Sequence, residues 1–331
     1  MILASHGAAV ALSAPPMALG YVPDSMDLRW DGRVAVITGA GRNLGRTYAR
    51  VLAGRGAAVV VNDLGVSISD TDGAGTVPAT NPGVAVVAEI EAAGGRAVLS
   101  TDSVATPDGG AAIVQTALDS FGRVDVVINN AGVVRQAPFA EYDPGLLDDE
   151  LSSQIGGHFN VSRAAWPVMT AAGYGRVVNL SSGAGLWGVP GMTGYAAAKL
   201  GVVGLTRALA LEGAEHGISV NVVAPCAKTR PGGFGPIPES PALHAWLSMD
   251  EVAPLVAWLA HEDCPVNGEC FSVGGGYIGR VTVAVNDGWR DRPLTVESVR
   301  DHWSTVMADG PWTPLPAGRG DLDRMLDGFR P

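Results

Sequence analysis

Tyr195 and Lys199 stand four residues apart in the stretch YAAAK. On a helix, positions i and i+4 share a face, one turn apart. An ammonium held beside a phenol lowers the phenol pKa, which lets Tyr195 act as an acid or base near neutral pH. Ser182 stands 13 residues before Tyr195, where the apolar run RVVNL ends. In open α/β sheets, ligands bind at the C-terminal ends of strands. Alone, Y-x-x-x-K is also the pattern of an ordinary surface pair. It gains weight from Ser182, from NNAG (129–132), and from a glycine loop far upstream.

That loop is Thr38-Gly39-Ala40-Gly41-Arg42-Asn43-Leu44-Gly45. It follows an apolar run and opens a helix-like segment. Glycines let a backbone turn tightly and approach a pyrophosphate, while a helix N-terminus offers free N–H groups and a positive dipole end. Strand, glycine loop and helix together point to dinucleotide binding. Asp63 closes VVVND, 24 residues after Gly39, where an acid can take both ribose hydroxyls of NAD and repel the 2′-phosphate of NADP. Arg42 is a counter-signal, because a basic loop residue can bind that phosphate. Its other reading is a solvated loop charge.

These residues need rigid elements behind them. From Arg33 the chain alternates strand-like and helix-like segments. Strands are predicted at 33–41, 57–65, 96–104, 124–132, 176–185, 218–225 and 269–277. Helices are predicted at 43–56, 84–95, 108–122, around 145–170, at 194–216 and at 250–262. The predicted fold is α/β, a doubly wound Rossmann-type sheet of about seven parallel strands with helices on both faces. Residues 27–279 form this domain. Residues 280–331 carry charges, prolines, Trp289, Trp303 and Trp312, and read as a C-terminal helical extension packed on it. Residues 1–26 are rich in Ala and Pro, lack the positive start of a signal peptide, and read as a disordered leader. The Gly/Pro/Thr-rich loop 65–83 is long for a βα connection, which suggests a functional segment.

Composition narrows the function further. Of 331 residues, 47% are apolar and 17% charged, which excludes a disordered chain. The net charge of −11 gives no general footprint for nucleic acid or an anionic membrane. No apolar run is long enough to span a bilayer. The three cysteines form no framework and the six histidines no ligand cluster, so the sequence reads as a metal-free cytoplasmic protein.

TGAGRNLG (38–45), Asp63, DSV (102–104), NNAG, Ser182 and YAAAK together resemble the short-chain dehydrogenase/reductase family over residues 27–279. The resemblance implies an NAD(P)-dependent oxidoreductase that interconverts a secondary alcohol and a ketone. It implies that Ser182 orients the substrate oxygen, that Tyr195 transfers its proton, and that Lys199 binds the nicotinamide ribose and tunes Tyr195. Asp102, Ser103 and Val104 would frame the adenine. Asn129 and Ala131, with Gly132, would line the cofactor along with Gly39, Arg42, Asn43, Leu44, Gly45, Asp63 and Pro225. The family's second loop glycine is Asn43 here, and Asn tolerates the left-handed region. The family's fourth catalytic residue, usually Asn, falls on Gln154. His158, one turn on, faces the same cleft or simply packs the helix. The residue after Pro225 is Cys226, read as packing beside the nicotinamide in preference to a nucleophile. The family's dimer interface uses the 194–214 helix and its predecessor, which implies a homodimer or homotetramer.

Further stretches, including VVVNDLG (59–65), SRAAWPVM (162–169) and LTVESVRDHW (294–303), resemble the (3R)-hydroxyacyl-CoA dehydrogenase branch of the family. The leading substrate is therefore a 3-hydroxyacyl-CoA or similar thioester. The covering loop 226–249 offers only Lys228 and Arg230 as cations, which is thin support for CoA phosphates. A free steroid, terpenoid or polyketide alcohol is the alternative. A catalytically silent NAD-binding sensor is a third reading, opposed by the intact Ser182/Tyr195/Lys199 set.

Overall fold

The structure, a computed structural model, describes residues 28–66, 80–228, 241–315 and 318. The leader, most of the 65–83 loop, the centre of the 226–249 loop with Arg230, and the end of the tail lie outside the described residues.

Short runs rich in Val and Ile become fully buried strands. β1 (Val34–Thr38), β2 (Ala58–Asn62) and β4 (Val126–Asn129) are buried at every position, as is β5 (Gly175–Leu180). Strands apolar on both faces need cover on both faces, which is the signature of a parallel sheet. β3 (Arg96–Ser100), β6 (Ile218–Pro225) and β7 (Cys270–Gly274) complete the parallel set. The order is β3-β2-β1-β4-β5-β6-β7-β8, so the strand order reverses between β1 and β4. An eighth strand, β8 (Tyr277–Val281), pairs antiparallel with β7. The sequence reading had no eighth strand. Gly274, Gly275 and Gly276 all take positive φ and turn the chain back on itself there.

Three helices start with the same local grammar. α2 (Pro82–Ala92), α3 (Pro107–Phe121) and α4 (Pro144–Leu151) each have proline in the first turn. Asn81, Thr106 and Asp143 before them accept a backbone N–H from Gly83, Gly109 and Gly145. The side-chain cap satisfies a donor that the helix cannot, and proline lacks one that would go unused. α1 (Asn43–Gly54) and α9 (Ala253–Leu259) cover one face of the sheet. α3, α5 (Gly157–Ala172) and α7 (Thr193–Gly213) cover the other. The helix expected around 145–170 is α4 and α5 joined through a π-helical segment, Ser152–Gly156. A short helix, α6 (Gly183–Trp187), follows β5 and cuts the strand predicted for 176–185 down to 175–180.

The extension is only partly helical. α8 (Pro241–Trp246) precedes α9, and beyond β8 come β9 (Ala284–Val285), α10 (Val296–Asp301), α11 (Trp303–Val306) and β10 (Thr313–Pro314). β9 and β10 pair antiparallel, and Trp289 stacks on His302 at 3.9 Å. The Leu315 carbonyl accepts from Arg207 of α7, which ties the extension to the main domain. In this single chain Trp303 and Trp312 are 54% and 57% exposed.

Candidate active site

β1 delivers the glycine loop to the top of the sheet. Gly39 takes φ 62°, and Asn43 takes φ 47°, the one positive-φ residue other than glycine among the described residues. The left-handed turn thus survives with asparagine, as its chemistry predicts. Gly45 sits where a Cβ would come within 2.2 Å of the Gly39 carbonyl oxygen. This close approach folds the loop tightly over the start of α1. Arg42, the cap residue of α1, makes no side-chain cap bond, and the first turn holds no acid. The first N–H groups are left for an anion, so the end of α1 fits a pyrophosphate.

At the end of β2, the Asp63 carboxylate accepts from the Gly41 N–H at 3.0 Å and the Gly65 N–H at 2.9 Å. It is held in place against the glycine loop. The Arg42 guanidinium donates instead to the Val66 carbonyl at 3.3 Å. After β3, Asp102 accepts from the Ser100 hydroxyl, and Asn160 of α5 donates to the Val104 carbonyl.

One cleft of about 780 Å³ runs from this loop across the sheet end. Gly39, Arg42, Asn43, Leu44, Asp63, Asp102, Ser103, Val104, Ala131, Gly132, Gln154, Tyr195, Lys199 and Pro225 all line it. Three predicted residues do not. Gly45 lies beneath the loop. Asn129 is 1% exposed and turns into the protein, donating to Ser162 and Asn179 at 2.9 Å each. Its successor Asn130 lines the cleft and donates to the Thr38 and Gly39 carbonyls, while the Thr38 hydroxyl accepts from the N–H groups of Asn130 and Ala131. Ser182 is half-buried at the start of α6, where its hydroxyl accepts from the Ala184 N–H at 3.1 Å. Ser181 lines the cleft instead, its hydroxyl donating to the Lys199 carbonyl.

Tyr195 and Lys199 share one face of α7, with the ammonium 5.7 Å from the phenol ring centre. Lys199 is 4% exposed, and its ammonium donates to the Leu180 carbonyl at the end of β5. Burial pushes its pKa down to about 7. The π-helical segment brings Gln154 inward, 2% exposed, with its amide donating to the Val133 carbonyl at 2.6 Å. A Cβ on Gly132 would lie 2.2 Å from the Gln154 side chain, so the glycine makes room for the longer amide. π-helical turns recur at functional sites. His158 is buried one turn on, its Nδ1 2.5 Å from the Gln154 carbonyl oxygen. Burial and, after it, the Lys199 charge push its pKa down to about 3, which keeps the imidazole neutral. Cys226 is exposed as a residue, yet desolvation raises its thiol pKa, the opposite of an activated nucleophile. Among the described residues no group of three or more His, Cys, Asp or Glu is placed to hold a metal ion, and no helix is long and apolar enough to cross a membrane.

A doubly wound sheet, a glycine-loop helix end and a Tyr/Lys pair on one cleft define an oxidoreductase acting on CH–OH groups. The model of the short chain dehydrogenase family matches residues 33–230, and the chain belongs to that family. It is 44% identical to mouse peroxisomal multifunctional enzyme type 2 over 84% of its own length, which spans 37% of that enzyme. It is 47% identical to a Mycobacterium tuberculosis chain named as a short-chain type dehydrogenase/reductase, over 83% of this chain and 93% of that one. The solved full-length peroxisomal multifunctional enzyme type 2 of Drosophila melanogaster matches 92% of this chain and 51% of that one, with a TM-score of 0.74 and 32% identity.

Proposed function

We propose that the protein is an NAD-dependent dehydrogenase of 3-hydroxyacyl-CoA-like substrates. The observation that carries the reading is the single cleft on which the glycine loop, Asp63, Tyr195 and Lys199 all open. NAD, when bound, supplies the hydride acceptor. The end of α1 and Gly39 would hold its pyrophosphate, Asp63 its adenosine ribose, and Lys199 its nicotinamide ribose. In the oxidation direction the Tyr195 phenolate accepts the hydroxyl proton of the substrate. The Lys199 ammonium steadies that phenolate. The Ser182 hydroxyl, off the cleft lining in this structure and accepting from Ala184, would turn its own proton to the reacting oxygen.

The thioester substrate rests on resemblance, namely the stretches shared with (3R)-hydroxyacyl-CoA dehydrogenases and the match to multifunctional enzymes along most of this chain. A cytoplasmic location is in keeping with three unbridged cysteines, and a homo-oligomer with the apolar side chains left exposed on α5 and α7. The test is turnover with NAD against a panel of (3R)- and (3S)-hydroxyacyl-CoAs, steroids and simple alcohols. Tyr195→Phe should lower kcat by roughly 10²–10⁴-fold, the range of general acid–base catalysis, with NAD binding little changed. Near wild-type turnover by this variant would refute the mechanism. Because the Asp63 carboxylate closes β2 beside the glycine loop and lines the cleft, kcat/KM should be higher with NAD than with NADP. A reversed preference would hand control to Arg42.

A further inference from the structure

Glu150 is the only buried residue of α4, fully shielded from solvent. One carboxylate oxygen accepts from the Arg135 N–H at 2.7 Å, and the other accepts from the Tyr142 hydroxyl. A buried carboxyl group with two neutral donors is costly unless something else answers it. The partner is the start of α7. Its cap residue, Met192, makes no side-chain cap bond. Instead the Tyr142 oxygen lies against the Gly194 backbone. A Cβ on Gly194 would lie 2.4 Å from the Glu150 carboxylate and 2.8 Å from the Tyr142 oxygen. The pair therefore touches the helix one residue before Tyr195. It caps α7 from another element and sets a negative charge against its positive dipole end.

We propose that the Glu150 carboxylate is a positioning group that, with Tyr142, seats the N-terminal turn of α7, and that its own charge raises the proton affinity of Tyr195. It also anchors the loop after β4. There Val133 donates to Ser153 and accepts from Gln154, and Arg135 donates to Glu150, so the cleft wall and the helix of the phenol are tied to one carboxylate. Arg135 is the charged group beside the pair on the loop side, and Tyr195 and Lys199 follow Gly194 along α7. Of these, Lys199 favours the Tyr195 phenolate and Glu150 opposes it. A nearby like charge raises an acid's pKa. Glu150 therefore limits how far Lys199 lowers the phenol.

This inference rests on Tyr195 as the proton-transfer group, and its test needs no substrate. Phenolate absorbance is titrated in the intact protein and in its Tyr195→Phe counterpart, and the difference isolates Tyr195. Glu150→Gln removes the charge and should lower the Tyr195 midpoint by on the order of one pH unit. Tyr142→Phe keeps the charge, so its midpoint should not fall. A purely structural role would loosen both variants without this contrast. An unmoved midpoint in Glu150→Gln, or an equal fall in both, overturns the inference. Where Glu150→Gln does not fold, Glu150→Leu removes the same charge with an apolar side chain and carries the same expectation. Failure to oxidise any hydroxyacyl-CoA would refute the functional reading and leave this titration unaffected.

Discussion

Lys199 illustrates how one residue ties chemistry to stability. Its ammonium is buried and donates to a carbonyl, and desolvation takes its pKa from 10.5 to about 7. The unfolded chain keeps this proton up to about pH 10.5, whereas the folded chain sheds it from about pH 7. Between those values the unfolded state binds more protons, so stability rises with pH. Below pH 7 both states are protonated, and the full penalty of the buried charge applies. Denaturant unfolding at pH 6 and pH 9 should therefore show the wild type gaining stability relative to Lys199→Met, by on the order of 1–4 kcal/mol. Equal gains in both proteins would show that Lys199 keeps its charge when folded. His158 adds no compensating charge, since it is held neutral beside the same carbonyl.

At the scale of elements, the glycine loop and α1 act as one unit. Gly45 admits no side chain without moving the Gly39 carbonyl, which is backbone and cannot swing aside. Gly45→Ala should destabilise the protein by about 1–3 kcal/mol, the cost of overpacking, and weaken NAD binding more than Tyr195→Phe does. Urea unfolding and NAD titration measure the two effects. This unit was readable in the chain, because strand, glycines and helix follow one another within a few residues. The π-helical segment was not readable. SQIG carries no local signal for it, and the bond its Gln154 makes joins it to Val133, 21 residues back in the chain. The Glu150 pair was likewise hidden. In EYDPGLLDDE the residue is one of several acids, and only the fold turns it inward against α7.

The whole molecule leaves apolar side chains on one helical face. Phe159 of α5 and Leu200 and Leu211 of α7 are 47%, 53% and 53% exposed. Such side chains on the face of adjacent helices suit a second copy of the chain. Leu200→Glu should shift the protein toward smaller species in sedimentation, with its far-UV spectrum unchanged. A monomeric wild type at micromolar concentration would contradict the oligomer. The extension meets the main domain through Leu315 and Arg207 of the same α7.

By itself the sequence determined the α/β alternation, the glycine loop, Asp63 and the Tyr195–Lys199 pair. Each is a local pattern whose physics acts within a strand, a turn or one helical repeat. Tertiary structure decided what local physics leaves open. Of the two asparagines in NNAG, Asn129 turns into the core toward Ser162 and Asn179, and Asn130 turns to the cleft. The chain reverses once more at Gly274–Gly276 to add β8, because an edge strand is chosen by the sheet beside it. Glu150 becomes a buried carboxyl group because α4, the loop after β4 and the start of α7 converge on it. These outcomes depend on partners far apart in the chain, and no window of sequence contains both sides of such a contact.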